Sequence, residues 1–139
     1  MDLESFAKVM AQASLDIARS KTTAVEKAAK LIEEAAKSAI GTYRFGWAKL
    51  GPAAVKKHGD TPLLDTGKLQ ASIESTIGDG EAWVGTNDPV GKYQEFGTSR
   101  GIPPRPFIGG AVVEQEKAIE AELVKIVDGV FKKPEGSIE

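Results

Sequence analysis

An α+β fold is predicted from three observations on the 139-residue sequence. An amphipathic stretch opens the chain, an alternating pattern brackets Gly78-Asp79-Gly80, and a second amphipathic stretch follows Pro106. The expected architecture is a long N-terminal helix, a small antiparallel β-sheet built on one hairpin, and a C-terminal helix packed on that sheet. Residues 1–133 are expected to form a single α+β domain with a long loop at 41–62, and 134–139 a flexible C-terminal tail.

Residues 2–40 read as helix, with a break or bend expected near Ser20-Lys21-Thr22-Thr23. Val25, Ala29, Ile32, Ala36 and Ile40 recur at helical steps, and Phe6, Met10, Ala13 and Ile17 do the same earlier. Gly41 ends the pattern. Residues 41–62 have no clean period, so a loop with one helical turn at 53–57 is expected. Asp65-Thr66 has the chemistry of an N-cap for a short helix over 67–71, with Leu64 and Leu69 turned inward.

Strand follows, with Ile73, Ser75 and Ile77 on one face, and the chain returns through Ala82–Gly85. A short helix is expected over 90–96, ended by Gly97 at positive φ. Pro103-Pro104-Arg105-Pro106 reads as a stiff strut, because three of its four residues lack a backbone N–H. The last helix is expected over 107–131, on a stripe of Ile108, Val112, Ile119, Leu123, Ile126 and Val130, with Lys132-Lys133 suiting its C-terminal dipole.

Composition narrows the function classes. No cysteine is present, so neither a disulfide nor a thiolate metal site can form. No run of about 18 apolar residues is available to cross a membrane, and Met1-Asp2-Leu3-Glu4 is unlike a signal peptide. The formal charge of −2 argues against bulk attraction to nucleic acid. The charge is uneven, however. Residues 41–70 carry five bases against two acids, and 106–139 carry seven acids against four bases.

Loop 42–58 interleaves Tyr43, Arg44, Phe45, Trp47, Lys49, Lys56, Lys57 and His58. Such a mixture suits contact with a nucleic-acid backbone and stacking on bases. Equally, Phe45 and Trp47 can fold over the core while the lysines stay in water. His58 with Asp60 and Asp65 falls short of a zinc set, having one nitrogen ligand. Neither a nucleophile elbow nor a phosphate-cradling loop is present, so no catalytic site, no metal site and no cofactor is expected.

The stretch from Leu63 to Ala111 carries four ordered motifs. They are the TGxLxxSI segment of Asp65, Thr66, Gly67, Leu69 and Ser72, the Val84-Gly85-Thr86 strand end, the YxxFGT turn with Glu95, Phe96, Gly97 and Thr98, and the PxRPF segment of Pro104, Arg105, Pro106 and Phe107. In order and spacing they resemble the small neck or tail-completion (head–tail joining) proteins of long-tailed bacteriophages and the related phage virion-morphogenesis family. The resemblance implies a non-enzymatic, structural virion protein, made in the bacterial host cytoplasm and placed at the head–tail junction or tail. It implies a homo-oligomeric ring, six- or twelve-fold, around the DNA channel, touching neighbouring connector and tail proteins and no membrane. A tail-terminator or minor tail subunit is the alternative within this class. A small nucleic-acid-binding module using loop 42–58 is the alternative outside it.

Two side-chain roles are expected, one from these motifs and one from the length, aromatics and positive charge of loop 42–58. Arg105 pairs with Glu95, within a subunit or across a ring contact. Tyr43, Arg44, Trp47, Lys49, Lys56 and Lys57 face a partner ring or make non-specific contact with DNA in the lumen.

Overall fold

The computed structural model describes residues 2–131. Seven elements follow in order: α1 (Leu3–Ala39), α2 (Pro52–His58), α3 (Lys68–Ser72), β1 (Ile73–Ile77), β2 (Ala82–Thr86), α4 (Pro89–Phe96) and α5 (Phe107–Phe131). The fold is α+β, as the patterning predicts. Lys132-Lys133 and the tail at 134–139 lie outside the described residues.

Helix α1 runs unbroken for 37 residues, about 55 Å at the usual rise per residue. It starts at Asp2, whose carboxylate accepts the N–H of Ser5 at 2.7 Å. The expected break at 20–23 does not occur. The hydroxyls of Thr22 and Thr23 instead donate back to the carbonyls of Ala18 and Arg19, which leaves the helical bonding intact.

Helix α5 lies antiparallel to α1. Arg44, just past the end of α1, reaches Glu114, Lys27 reaches Glu122, and Ile17 shares a groove with Ile126 and Val127. The small side chains of Ala35, Ala36 and Ala39 let the helices approach closely where Phe107 and Ala111 begin α5. Ile73 and Leu69 join this core, with Trp47 above it and Val84 at its edge. The first turns of α5 thus share one apolar core with the sheet.

The sheet is a two-stranded antiparallel hairpin with Ile73 opposite Thr86 and Ile77 opposite Ala82. Gly78 donates its N–H to the Glu81 carbonyl at 2.7 Å and closes the turn. Loop 41–62 is less irregular than its sequence suggests. Its second half is the two-turn helix α2, begun by Pro52 in the first helical position, where the missing N–H costs nothing.

Candidate functional site

The four motifs are far apart in sequence and form one bonded frame in space. Ser72, the last residue of α3 and not part of the strand, donates its hydroxyl to the Leu69 carbonyl at 2.6 Å. Its oxygen also lies 2.5 Å from Oγ1 of Thr86. With the Ser72 proton committed to Leu69, Thr86 is the donor of that bond. Thr86 in turn accepts the N–H of Asp88 at 3.0 Å, and Asp88 caps α4 by accepting from Val90 at 3.0 Å. Asp88 is buried and spends its charge on this cap. The TGxLxxSI and VGT motifs are therefore consecutive links in one hydrogen-bond chain that ends at α4.

The α3 cap differs from the expected one. Gly67, at φ 82°, occupies the N-cap position, and no side chain caps the helix there. Thr66 accepts from the Lys68 N–H at 3.4 Å, a weak bond. Asp65 turns away and meets Nδ1 of His58 at 3.0 Å. Leu69 is buried and Leu64 packs at the core edge, as expected.

Glu95 and Arg105 do not pair with each other. Both carboxylate oxygens of Glu95 accept backbone N–H groups at the start of α5, from Gly109 at 2.8 Å and Ile108 at 3.0 Å. A carboxylate at a helix N-terminus satisfies orphan donors and meets the positive end of the dipole. Arg105 is 6% exposed and donates from Nε and Nη2 to the Ala48 carbonyl at 3.1 and 3.0 Å. A longer contact reaches the Lys49 carbonyl at 3.4 Å. Its own N–H donates to the Gln94 carbonyl at 2.6 Å. Buried this way, Arg105 is unavailable to a ring contact.

Gly97 sits at φ 72°, and a Cβ there would lie 2.7 Å from the Ile102 carbonyl oxygen and 2.9 Å from the nitrogen of Pro104. Thr98 and Ile102 close the same loop by a backbone bond of 3.0 Å. Phe107 is buried, Pro104 and Pro106 are exposed, and Phe96 stands in solvent at 75% exposure.

Loop 42–58 is fastened at several points. Trp47 is buried and donates its indole N–H to the Pro106 carbonyl at 3.3 Å, with Phe45 edge-on against it. Gly110 permits this, since a Cβ there would come within 2.5 Å of the Phe45 ring. Arg44 bonds the Ala35 carbonyl at 3.0 Å and the Ser38 hydroxyl at 2.9 Å, and pairs with Glu114 at 2.9 Å. The Tyr43 hydroxyl donates to Asp60 at 2.5 Å and accepts from Leu50, while Lys49 lies over its ring. The bond to Asp60 raises the phenol above its ordinary value of 10.0. Trp47 therefore cannot stack on a base in this arrangement. Lys56 and Lys57 of α2 remain in solvent.

Between α2, the α3 cap and α4 lies an open groove of about 330 Å³. Leu50, Ala54, Leu63, Leu69 and Val90 give it an apolar floor and walls. Leu63 is held at φ 65°, rare for a side chain other than glycine. Gln94 also lines the groove, and its Oε1 is buried without a hydrogen-bond partner. Among the described residues no group of three metal-ligating side chains occurs, and no helix is long and apolar enough to cross a membrane.

The frame defines a small α+β protein with two long helices, whose sequence motifs serve as caps and clamps. Among known proteins, the Mu-like prophage FluMu G protein 2 of Haemophilus influenzae is 36% identical over 95 residues, 64% of this chain and 62% of that protein. The chain thus matches less than two thirds of that relative's length. No family model matches, and no solved structure matches. The similarity supports a phage protein.

Proposed function

We propose that the chain is a structural virion protein, one subunit of a ring at the phage head–tail junction that completes the neck or tail around the DNA channel. The observation that carries this reading is the similarity to a prophage-encoded protein over a stretch of 95 residues. The ordered motifs, which resemble those of neck and tail-completion proteins, support a place at the junction, with a tail-terminator or minor tail subunit as the alternative. The architecture is compatible with assembly: residues 3–12 of α1 are all exposed, although Leu3, Phe6, Val9 and Met10 are among them. Isolated apolar side chains at a surface are ordinary, and a contiguous set on one helix marks a contact. Six- or twelve-fold closure, neighbouring connector and tail proteins, and a non-enzymatic role belong to the same reading.

The test is electron microscopy of lysates from the parent phage lacking this gene. DNA-filled heads beside separate, otherwise complete tails are expected. Tails of abnormal length would move the protein to tail termination, and intact infectious particles would overturn the structural reading.

A further inference from the structure

Two apolar surfaces follow one another along α1. The first is its N-terminal arm, Leu3–Ser14, whose Leu3, Phe6 and Met10 recur at helical steps and are 83%, 53% and 53% exposed. The second is a cleft of about 410 Å³ between α1 and α5, which begins at Ile17. Ala24, Val25 and Ala28 line it from α1, and Ile119, Leu123 and Val127 from α5. The small Ala24 and Ala28 keep it open, and Leu123 and Val127 are about half exposed. Its polar members are Ser20 and Lys21. Lys21 leans over the hairpin turn, its Nζ 3.5 Å from the place a Cβ on Gly80 would take, so its charge lies toward that turn. Nothing else in this chain fills the cleft. The arm cannot fold back onto it, since α1 is unbroken, and residues 132–139 contain one large apolar side chain, Ile138.

We infer that two copies of the chain pack antiparallel about a two-fold axis, the arm of each lying in the α1–α5 cleft of the other. Length is the first argument. Leu3–Ser14 and Ile17–Ala28 cover equal stretches of α1, about 18 Å each. An axis beside Leu15 and Asp16 therefore lays each arm along the partner's cleft. Area is the second. A helix is 10–12 Å across, so one seated in a cleft covers about 17 Å of its circumference and, over 18 Å, about 300 Å² of the arm and as much of the cleft. A single helix docked from another protein would bury about 600 Å² in total, below the roughly 1,000 Å² of a stable contact. The two-fold pair makes the contact twice and buries about 1,200 Å², which reaches the range of stable interfaces. A second copy is thus the occupant that the cleft and arm together select. Such a contact is self-complementary and closes on two copies, so it stands independently of the ring reading.

The chain has no cysteine, so a single introduced one reports on its own position. Ser14→Cys and Leu3→Cys are each made in the full chain, treated with a short bis-maleimide and resolved on a denaturing gel. The antiparallel pair brings the two copies of position 14 within about 10 Å, the spacing of packed helices, and holds the two copies of position 3 about 37 Å apart. Covalent dimers are expected from Ser14→Cys and none from Leu3→Cys. Any other pattern overturns the inference: dimers from both would set the arms parallel, and dimers from neither would mean that they do not meet. Sedimentation equilibrium of the unmodified chain at tens of micromolar is expected to give an even multiple of the subunit mass, since interfaces of this size hold at micromolar or tighter. A monomer there would overturn the pairing and leave the cleft to a different protein. Phe6→Asp and Leu123→Asp alter the two sides of the contact at side chains that a single copy leaves exposed. Each is expected to keep its helical circular dichroism and to sediment at half the mass, and a mass unchanged by both would also overturn the pairing.

Discussion

The carboxylate of Glu95 accepts the backbone N–H of Gly109 at 2.8 Å, so the last turn of α4 caps the first turn of α5. The same carboxylate takes the N–H of Ile108. Gly109 has room for this approach; a Cβ on it would lie 3.2 Å from the carboxylate oxygen. One acidic side chain thus couples a short helix with an exposed outer face to the long helix that completes the core. Removing it is expected to loosen both.

Glu95→Ala is expected to destabilise the protein by about 1–2 kcal/mol, the range of a lost helix cap with its dipole contribution. Glu95→Gln keeps one acceptor and loses the charge, so a smaller loss is expected. Urea unfolding measures both. Combined with Arg105→Ala in a double-mutant cycle, Glu95→Ala should show little direct coupling, below about 0.5 kcal/mol. A strong favourable coupling would revive an Arg105–Glu95 ion pair and contradict the geometry.

Arg105 acts on the backbone of the loop that carries Trp47. Arg105→Ala leaves the Ala48 carbonyl without its guanidinium donors in a buried place, and a loss of about 2–4 kcal/mol is expected. Arg105→Lys restores a charge without the planar fork and should recover only part of it. Trypsin gives a local readout, because Lys49 lies in the released segment. Faster cutting after Lys49 in Arg105→Ala is expected, and an unchanged cutting rate would show that the clamp does not hold this loop.

The regular elements were legible in the sequence because each follows a simple period. The hairpin 73–86 and helix α5 fall where alternation and the three–four stripe predict them. Residues 20–23 misled because threonines are poor helix formers on average, whereas here their hydroxyls bond the preceding turn. The motif residues were also legible, but not their partners. Arg105 was matched to the nearest carboxylate in the motifs, while its acceptors are carbonyls of residues 48 and 49, and any residue supplies a carbonyl. Glu95 was misread for the same reason, since its donors are backbone N–H groups. Gly110 carried no local signal, because its need is set by a ring 65 positions earlier in the chain.

Glu33 joins α1 to the hairpin and predicts a pH dependence. Burial pushes its carboxyl upward, but the Ser75 hydroxyl, Lys37 and Lys30 together outweigh it and hold the group below its ordinary 4.5. Ser75 donates to it at 2.8 Å. A depressed carboxylate contributes stability that is complete above the unfolded value and is lost as pH falls through the folded one. Glu33→Gln is therefore expected to cost about 1–2 kcal/mol at neutral pH. The gap to the parent protein should narrow below about pH 4. Urea midpoints from pH 7 down to pH 3 test this, and a gap that stays constant would mean that Glu33 acts through packing alone.

Two glycines at positive φ differ in their surroundings. Gly97 and Gly46 share nearly the same φ, 72° and 73°, yet a Cβ on Gly46 meets nothing within 4 Å. Positive φ strains alanine at either position, and Gly97, with ψ 178°, lies outside the small left-handed region that other side chains enter. At Gly97 the new methyl also runs into the backbone of Ile102 and Pro104, neither of which is the free end of a flexible side chain. Gly97→Ala is thus expected to cost clearly more than Gly46→Ala, by about 1–3 kcal/mol, as for overpacking in a confined site. Thermal unfolding of the two variants side by side gives the difference. Equal losses would mean that residues 98–104 shift to admit the methyl, and the turn after Phe96 would then be a compliant segment rather than the rigid corner that aims the Pro103–Pro106 strut at the start of α5.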